Sequence, residues 1–250
     1  MSTETIERDS HAQGSGQPFF SCRGLNAYYG VSYIVQNVSF DIAEGQILAL
    51  LGRNGAGKTS TLRTIARASS PELRSGEIWL AGEPLHNKAN FAAARAGVQL
   101  VQEDRRIIQG LTVQENLELA QISGEKGWSF ERIFELFPRL AERRKQEGTT
   151  MSGGEQQMLA IARALARDVK LLLLDEPYEG LAPVVRQDIA KALLEVRGAG
   201  ITSIIVEQNA VAALQLSDRS VILDSGEVVY DGSAQDVLDN EELRLKYLAI

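Results

Sequence analysis

The chain is predicted to be an α/β protein built on a mostly parallel sheet, and three features of the sequence predict it. Apolar runs at Leu171 to Leu174, Ile201 to Val206 and Ser220 to Leu223 alternate with helix-like stretches, the pattern of strands joined by crossover helices. Tyr33 to Leu51, YIVQNVSFDIAEGQILALL, reads as strands broken at Glu44-Gly45, and the second is almost wholly apolar, as a strand buried on both faces would be. Straight after it comes the glycine-rich GRNGAGKT and then a helix-like run, TSTLRTIARA.

In chain order, residues 1–18 carry Gly, Ser, Gln and Thr and read as a flexible tail, so the fold is expected to begin near Phe19. Residues 19–103 form the first part of a core. Residues 104–165 show no convincing strand; Phe130, Ile133, Phe134, Phe137 and Leu140 recur at helical spacing, with Pro138 placed to bend or end one helix. Residues 166–238 return to the core pattern, and 239–250 read as a helical C-terminal tail.

Composition removes several classes. With 250 residues, 44% hydrophobic and 24% charged, the chain can bury a sizeable core as one soluble globular domain with room for a subdomain. Cys22, the one cysteine, cannot form an internal disulfide and sits in no metal-ligand spacing, which suits a reducing compartment. No apolar run approaches the roughly 20 residues that a membrane span needs, and the polar start is not a signal peptide, so a cytoplasmic chain is expected. A net charge of −7 without a basic stripe argues against nucleic acid as a partner.

GRNGAGKT, Gly52 to Thr59, meets the phosphate-loop pattern in full. Gly52, Gly55 and Gly57 let backbone amides curl around an anion, Lys58 reaches the outer phosphates, and the Thr59 hydroxyl can ligate magnesium. KLLLLDEP ends an apolar strand in Asp175 and Glu176. Alone the pair would read as a solvated turn; beside a phosphate loop, Asp175 suits hydrated magnesium and Glu176 the attacking water. Ser152, Gly153 and Gly154 open a long helix whose exposed amides and dipole make a second anion site. A third polar cluster, Glu207, Gln208 and Asn209, closes the apolar run ending at Val206; a plain turn and a ligand-facing site are equally open there.

MSGGE within TTMSGGEQQMLAIARALARD resembles the signature motif of ATP-binding cassette (ABC) proteins, usually LSGGQ. The resemblance covers nearly all of residues 19–250 in the family's order. It implies a P-loop NTPase (RecA-like) core with an N-terminal antiparallel β subdomain and an inserted α-helical signature subdomain, binding ATP and Mg2+. It adds Asn54 and Ser60 to the ATP contacts, Tyr29 as the stacking partner of adenine with Tyr28 next, and Gln102 or Glu103 as the magnesium sensor between the lobes. A head-to-tail dimer follows, the phosphate loop of one subunit and Ser152 to Gly154 of the other enclosing each ATP. Two departures stand out: Glu179-Gly180-Leu181-Ala182 lacks the family's aspartate, and Gln208 fills the place of a histidine that meets the γ-phosphate. On the second count Gln208 keeps the hydrogen bond but not the titratable group.

VEQN, DEPYEGLAP, ELFPRL and QEDRR further resemble the smaller ATPase of bacterial branched-chain amino acid importers. That resemblance implies a second ATPase subunit (the same chain or a sister), two multi-span permease chains, an external solute-binding protein, and a peripheral place on the cytoplasmic face of the inner membrane. Trp128, Phe130 and Phe134, with Arg105 and Arg106, are expected either to line a groove for a permease helix or to be subdomain core. A urea or amide importer, an exporter, and a soluble ABC ATPase acting on ribosomes or DNA remain the alternatives.

Overall fold

A computed structural model of the chain describes residues 18–121 and 127–248; all but the last residue of the expected tail lies outside them. The first part of the chain gives β1 (Phe20–Tyr29), β2 (Ser32–Ile42), β3 (Ile47–Leu51), α1 (Lys58–Ile65), β4 (Glu72–Leu80), β5 (Glu83–Pro84), α2 (Asn90–Arg95) and β6 (Val98–Val101). A helical stretch follows: α3 (Val113–Gln121), α4 (Phe130–Leu136), α5 (Pro138–Glu142) and α6 (Gly153–Leu165). The chain then runs through β7 (Leu171–Asp175), α7 (Pro183–Gly198), β8 (Thr202–Val206), α8 (Ala210–Leu216), β9 (Arg219–Asp224), β10 (Glu227–Ser233), α9 (Ala234–Asp239) and α10 (Glu241–Tyr247).

These strands make two sheets. The four-stranded sheet, in the order β2-β1-β4-β5, is antiparallel throughout. The six-stranded sheet, β10-β9-β3-β8-β7-β6, is parallel except where β10 folds back on β9. Every residue of β3, β7 and β8 is buried, so β3 and Leu171–Leu174 of β7 read as unbroken apolar runs, while β8 buries Thr202 and Ser203 before its apolar Ile204–Val206. In β7 the alternation is between two cores. Leu171 and Leu173 face the antiparallel sheet and α1, with Phe20, Val38, Leu62 and Ile78, whereas Leu172 and Leu174 face α6 and α7, with Met158, Ile161, Ile189 and Leu193.

Pro138 opens α5 at its first turn, and Phe137 leaves helical geometry between α4 and α5, so the proline does end one helix and begin another. Cys22 is fully buried in β1 and burial pushes its thiol up to about 12, an inert side chain. No helix among the described residues is long and apolar enough to cross a membrane.

The choice between groove and core that the sequence left open is decided here for core. Trp128 and Phe134 are 9% and 6% exposed and Phe130 packs against the same core, so these rings do not line an open groove. The guanidinium of Arg132 covers Trp128 at 3.5 Å and that of Arg144 covers Phe134 at 4.0 Å, closing the outer side. A stripe at helical spacing looks the same in sequence whether it meets a core or a partner. A groove of about 280 Å³ lies instead between β6 and α6, with Gln102, Arg105, Arg106, Leu119, Arg163 and Arg167 in its lining.

Candidate active site

The site forms where parallel strands end. After Leu51 the backbone turns at Gly52 with φ 143°, and a Cβ there would stand 2.3 Å from the carbonyl oxygen of Leu223 in β9, so a side chain is excluded. The loop then exposes Arg53, Asn54 and Gly55 before Gly57 caps α1, whose first turn carries Lys58, Thr59 and Ser60. Lys58 is buried, and its ammonium donates to the carbonyl oxygens of Gly52 at 2.9 Å and Arg53 at 3.1 Å. The loop is thus curled around its own lysine. Desolvation lowers the Lys58 pKa, opposed by the charges of Glu176 and Asp175.

Asp175, the last residue of β7, is buried and accepts a 2.8 Å hydrogen bond from the Thr59 hydroxyl. Burial raises its pKa against the pull of Thr59, Arg63 and Lys58. Glu176 follows at φ 51°, its amide extending the β7–β8 ladder by donating to Val206 at 2.9 Å. A non-glycine residue with positive φ costs energy and recurs at functional sites. The Gln208 amide donates to the Glu176 carboxylate at 2.7 Å.

Each residue of the polar cluster ending β8 has its own task. Gln208 holds Glu176, while Asn209 caps α8, its oxygen accepting from the Ala212 amide at 3.1 Å. Glu207 turns inward, 5% exposed, and accepts from the Tyr178 amide at 2.7 Å. Burial first, and then the charge of Glu176, lift Glu207 to about 7. Sequence reading gave Glu207 no role. The available signal was a carboxylate directly after the apolar Ile204–Val206, one step beyond the residue paired with Asp175.

The adenine candidates separate clearly. Tyr28 is stacked on Tyr33 at 4.6 Å, and Arg74 lies over its ring at 4.2 Å. Tyr29 points to the other side of β1, at the hairpin opposite Ser32. Of the residues after β6, Glu103 is the one whose charge is felt at Asp175, whereas Gln102 lines the groove with Arg105. Burial, and then the charge of and hydrogen bond with Glu179, raise the Glu103 pKa.

Ser152 caps α6 in a full capping box with Glu155: the Glu155 amide donates to the Ser152 hydroxyl, and the Glu155 carboxylate accepts from the Ser152 amide at 3.0 Å. Arg143 pairs with the other carboxylate oxygen at 2.6 Å. Desolvation raises the Glu155 pKa, but Ser152 and Arg143 together outweigh it and hold the carboxyl low. The signature is therefore complete with glutamate in place of glutamine. A Cβ on Gly154 would meet Val185 of α7 at 2.7 Å, so helix and α7 touch there through glycine. Ser152 to Gly154 meet Glu155, Arg105 and Val185 among their neighbours, and none of these three lies in the phosphate loop.

Hard oxygen donors in contact, the Thr59 hydroxyl and the Asp175 carboxylate, suit magnesium, which binds through one or two carboxylates and leaves the remaining positions to phosphate and water. With a lysine-bearing glycine loop on one side and Glu176 on the other, the arrangement defines a phosphate-loop nucleotide hydrolase. Comparison with known proteins narrows the class. The profile of the ABC transporter family matches residues 35–179. A high-affinity branched-chain amino acid transport ATP-binding protein of Pseudomonas aeruginosa is 42% identical, covering 90% of this chain and 97% of that one. A probable branched-chain amino acid transport ATP-binding protein of Archaeoglobus fulgidus is 34% identical over 87% and 93%. The crystal structure of the ADP conformation of an ATP-binding cassette superposes with a TM-score of 0.79 at 23% identity, covering 91% of this chain and 97% of that one, which shows the fold. The chain belongs to the ABC transporter family and is an ABC-type ATPase.

Proposed function

We propose that this chain is the ATP-hydrolysing subunit of a membrane importer for branched-chain amino acids, one half of a head-to-tail dimer at the cytoplasmic face of the membrane. The observation that carries the motor chemistry is the Thr59–Asp175 contact at 2.8 Å beside the Gln208–Glu176 contact at 2.7 Å. Tyr29 stacks on adenine, while the amides of Gly52 to Ser60, with Asn54 at the rim, wrap the phosphates. Lys58 exchanges its loop carbonyls for phosphate oxygens, a neutral partner for an anionic one. Thr59, Asp175 and Glu103 would hold magnesium, which when bound offsets the phosphate charge. Glu176 accepts the proton of the attacking water. Gln208 has two amide hydrogens: one fixes Glu176, and the other is free for the γ-phosphate.

The contacts recorded at Ser152 to Gly154 fall on Glu155, Arg105 and Val185 rather than on their own phosphate loop, which supports their serving the ATP of a second ATPase subunit, identical or sister, at the positive end of α6. Two permease chains dock through the groove of Gln102, Arg105, Arg106 and Arg163, and an external binding protein delivers the solute to them. The solute assignment is supported by the relative that is 42% identical along nearly the whole of both chains.

The test is to tag the N-terminus, extract native membranes in mild detergent and identify what co-purifies by mass spectrometry. Two polytopic chains with a second ATPase, and leucine-stimulated hydrolysis once the solute-binding protein is added, are expected. Stimulation by urea alone would move the solute, and recovery only with ribosomes or DNA would overturn the transport reading.

A further inference from the structure

Glu207 is a buried carboxylate that the hydrolytic chemistry leaves unused. It sits at the end of β8, between two loops that must stay in register for hydrolysis. One loop leaves β7 and carries Glu176 and Tyr178; the other leaves β8 and carries Gln208 and Asn209. The Glu207 carboxylate accepts from the Tyr178 amide at 2.7 Å, across from its own loop to the loop of Glu176. The two side chains of the hydrolytic pair, Gln208 and Glu176, meet 2.7 Å apart, each on one of these two loops. A cavity of about 450 Å³ opens beside this bracket, lined by Glu176, Tyr178, Arg186, Glu207 and Gln208 among others.

We propose that Glu207 is a positioning residue for ATP hydrolysis: its carboxylate ties the loop of Glu176 to the loop of Gln208 and so sets the geometry of the pair. The proposal rests on Glu176 and Gln208 being that pair. Without the bracket, the Tyr178 amide loses its partner inside the protein, and the Glu176 loop, already held at a positive φ, is free to relax. The groups that face Glu207 are Glu176 and Tyr178 from the β7 loop and Arg186 from α7, with Glu179 on the rim of the same cavity; Gln208, Asn209 and Gln215 contribute no charge. Because burial lifts Glu207 to about 7, the bracket changes charge within the working range of the enzyme. Ionised, it accepts the Tyr178 amide strongly; protonated, it gives up one of its acceptor sites.

The experiment compares wild type, Glu207→Ala, Glu207→Gln and Glu176→Gln as purified full chains, measuring kcat for ATP against pH, the Kd for ATP, and thermal melting. Glu207→Ala is expected to lose about tenfold or more in kcat, since small misplacements of reacting groups cost that much, while ATP affinity holds within about twofold. Glu207→Gln keeps one oxygen for the Tyr178 amide but is neutral like the protonated carboxyl, so it is expected to run near the wild type's acid-side rate at every pH, above Glu207→Ala. It should lack the fall in rate that wild type shows on acidification through about pH 7. A wild-type kcat in Glu207→Ala overturns the proposal, as does a joint loss of melting temperature and ATP binding, or a wild-type pH step in Glu207→Gln. Glu176→Gln separates the layers: if it hydrolyses normally, the reading of the pair falls and the proposal with it. If it is inactive while Glu207→Ala is normal, only the proposal falls.

Discussion

Gln208 and Glu207 are neighbours in sequence and opposites in physics. Gln208 is exposed, neutral at every pH and placed to donate, so hydrolysis should carry no titration from this position. Gln208→His is expected to introduce one: a pH–rate profile with a new inflection near the ordinary histidine pKa of about 6.5. Gln208→Ala should lower kcat by about a hundredfold, the usual worth of one positioned proton-handling contact, and full activity there would remove Gln208 from the mechanism. Glu207 is buried, and its charge is costly. Its pKa rises from 4.5 to about 7 on folding, so the folded state holds the proton more tightly than the unfolded chain. The resulting stabilisation is complete below about pH 4.5 and is lost as pH rises through about 7. Glu207→Gln, neutral throughout, should therefore melt higher than wild type near pH 8, by up to about 3 kcal/mol of stability, with the gap narrowing toward pH 5. Calorimetry at the two pH values decides it. A stability cost retained beside the hydrolytic pair is what a group kept for function would show.

At the scale of elements, α6 is the helix on which the signature depends. Its start is fixed by Ser152 and Glu155 in the capping box and by Arg143 from outside. Glu155→Ala removes the box and leaves Arg143 without that partner; a loss of about 1–2 kcal/mol, or several degrees in Tm, is expected. Glu155→Gln, the residue usual in the family's motif, keeps the capping oxygen and should lose less than half of that. The parallel strands β3 and β7 were legible from their apolar runs, because burial on both faces leaves no polar alternation to confuse, and β8 from the apolar Ile204–Val206. The antiparallel sheet was harder: β4 buries few of its residues, and its pairing with β1 spans some fifty positions of sequence. The phosphate loop, Asp175, Glu176 and the signature showed because their chemistry is local to a few residues. The role of Glu207 did not, since it exists only where the ends of β7 and β8 come into register, 29 residues apart. The stripe of Trp128, Phe130 and Phe134 left groove and core both open for a different reason: helical spacing marks an apolar face without saying what covers it.

For the whole molecule, the separation of its two anion sites sets the assembly. The phosphate loop closes on its own lysine at the end of β3, whereas Ser152, Gly153 and Gly154 have their neighbours in Arg105, Glu155 and Val185. On the proposed head-to-tail reading, each site is half of a nucleotide clamp, and the two halves on one chain belong to different clamps. ATP binding and dimer closure should therefore be separable by mutation. Ser152→Arg places a bulky cation at the exposed cap of α6 without touching the phosphate loop. It is expected to bind ATP with near wild-type affinity yet neither dimerise nor hydrolyse. Glu176→Gln, which can no longer accept the water's proton, should bind ATP, close and stay closed, giving a dimer mass in light scattering with ATP and a monomer mass without it. The two variants mixed should form at most one complete clamp per pair, and a dimer of Ser152→Arg alone at saturating ATP would show that the signature faces its own subunit or nothing at all.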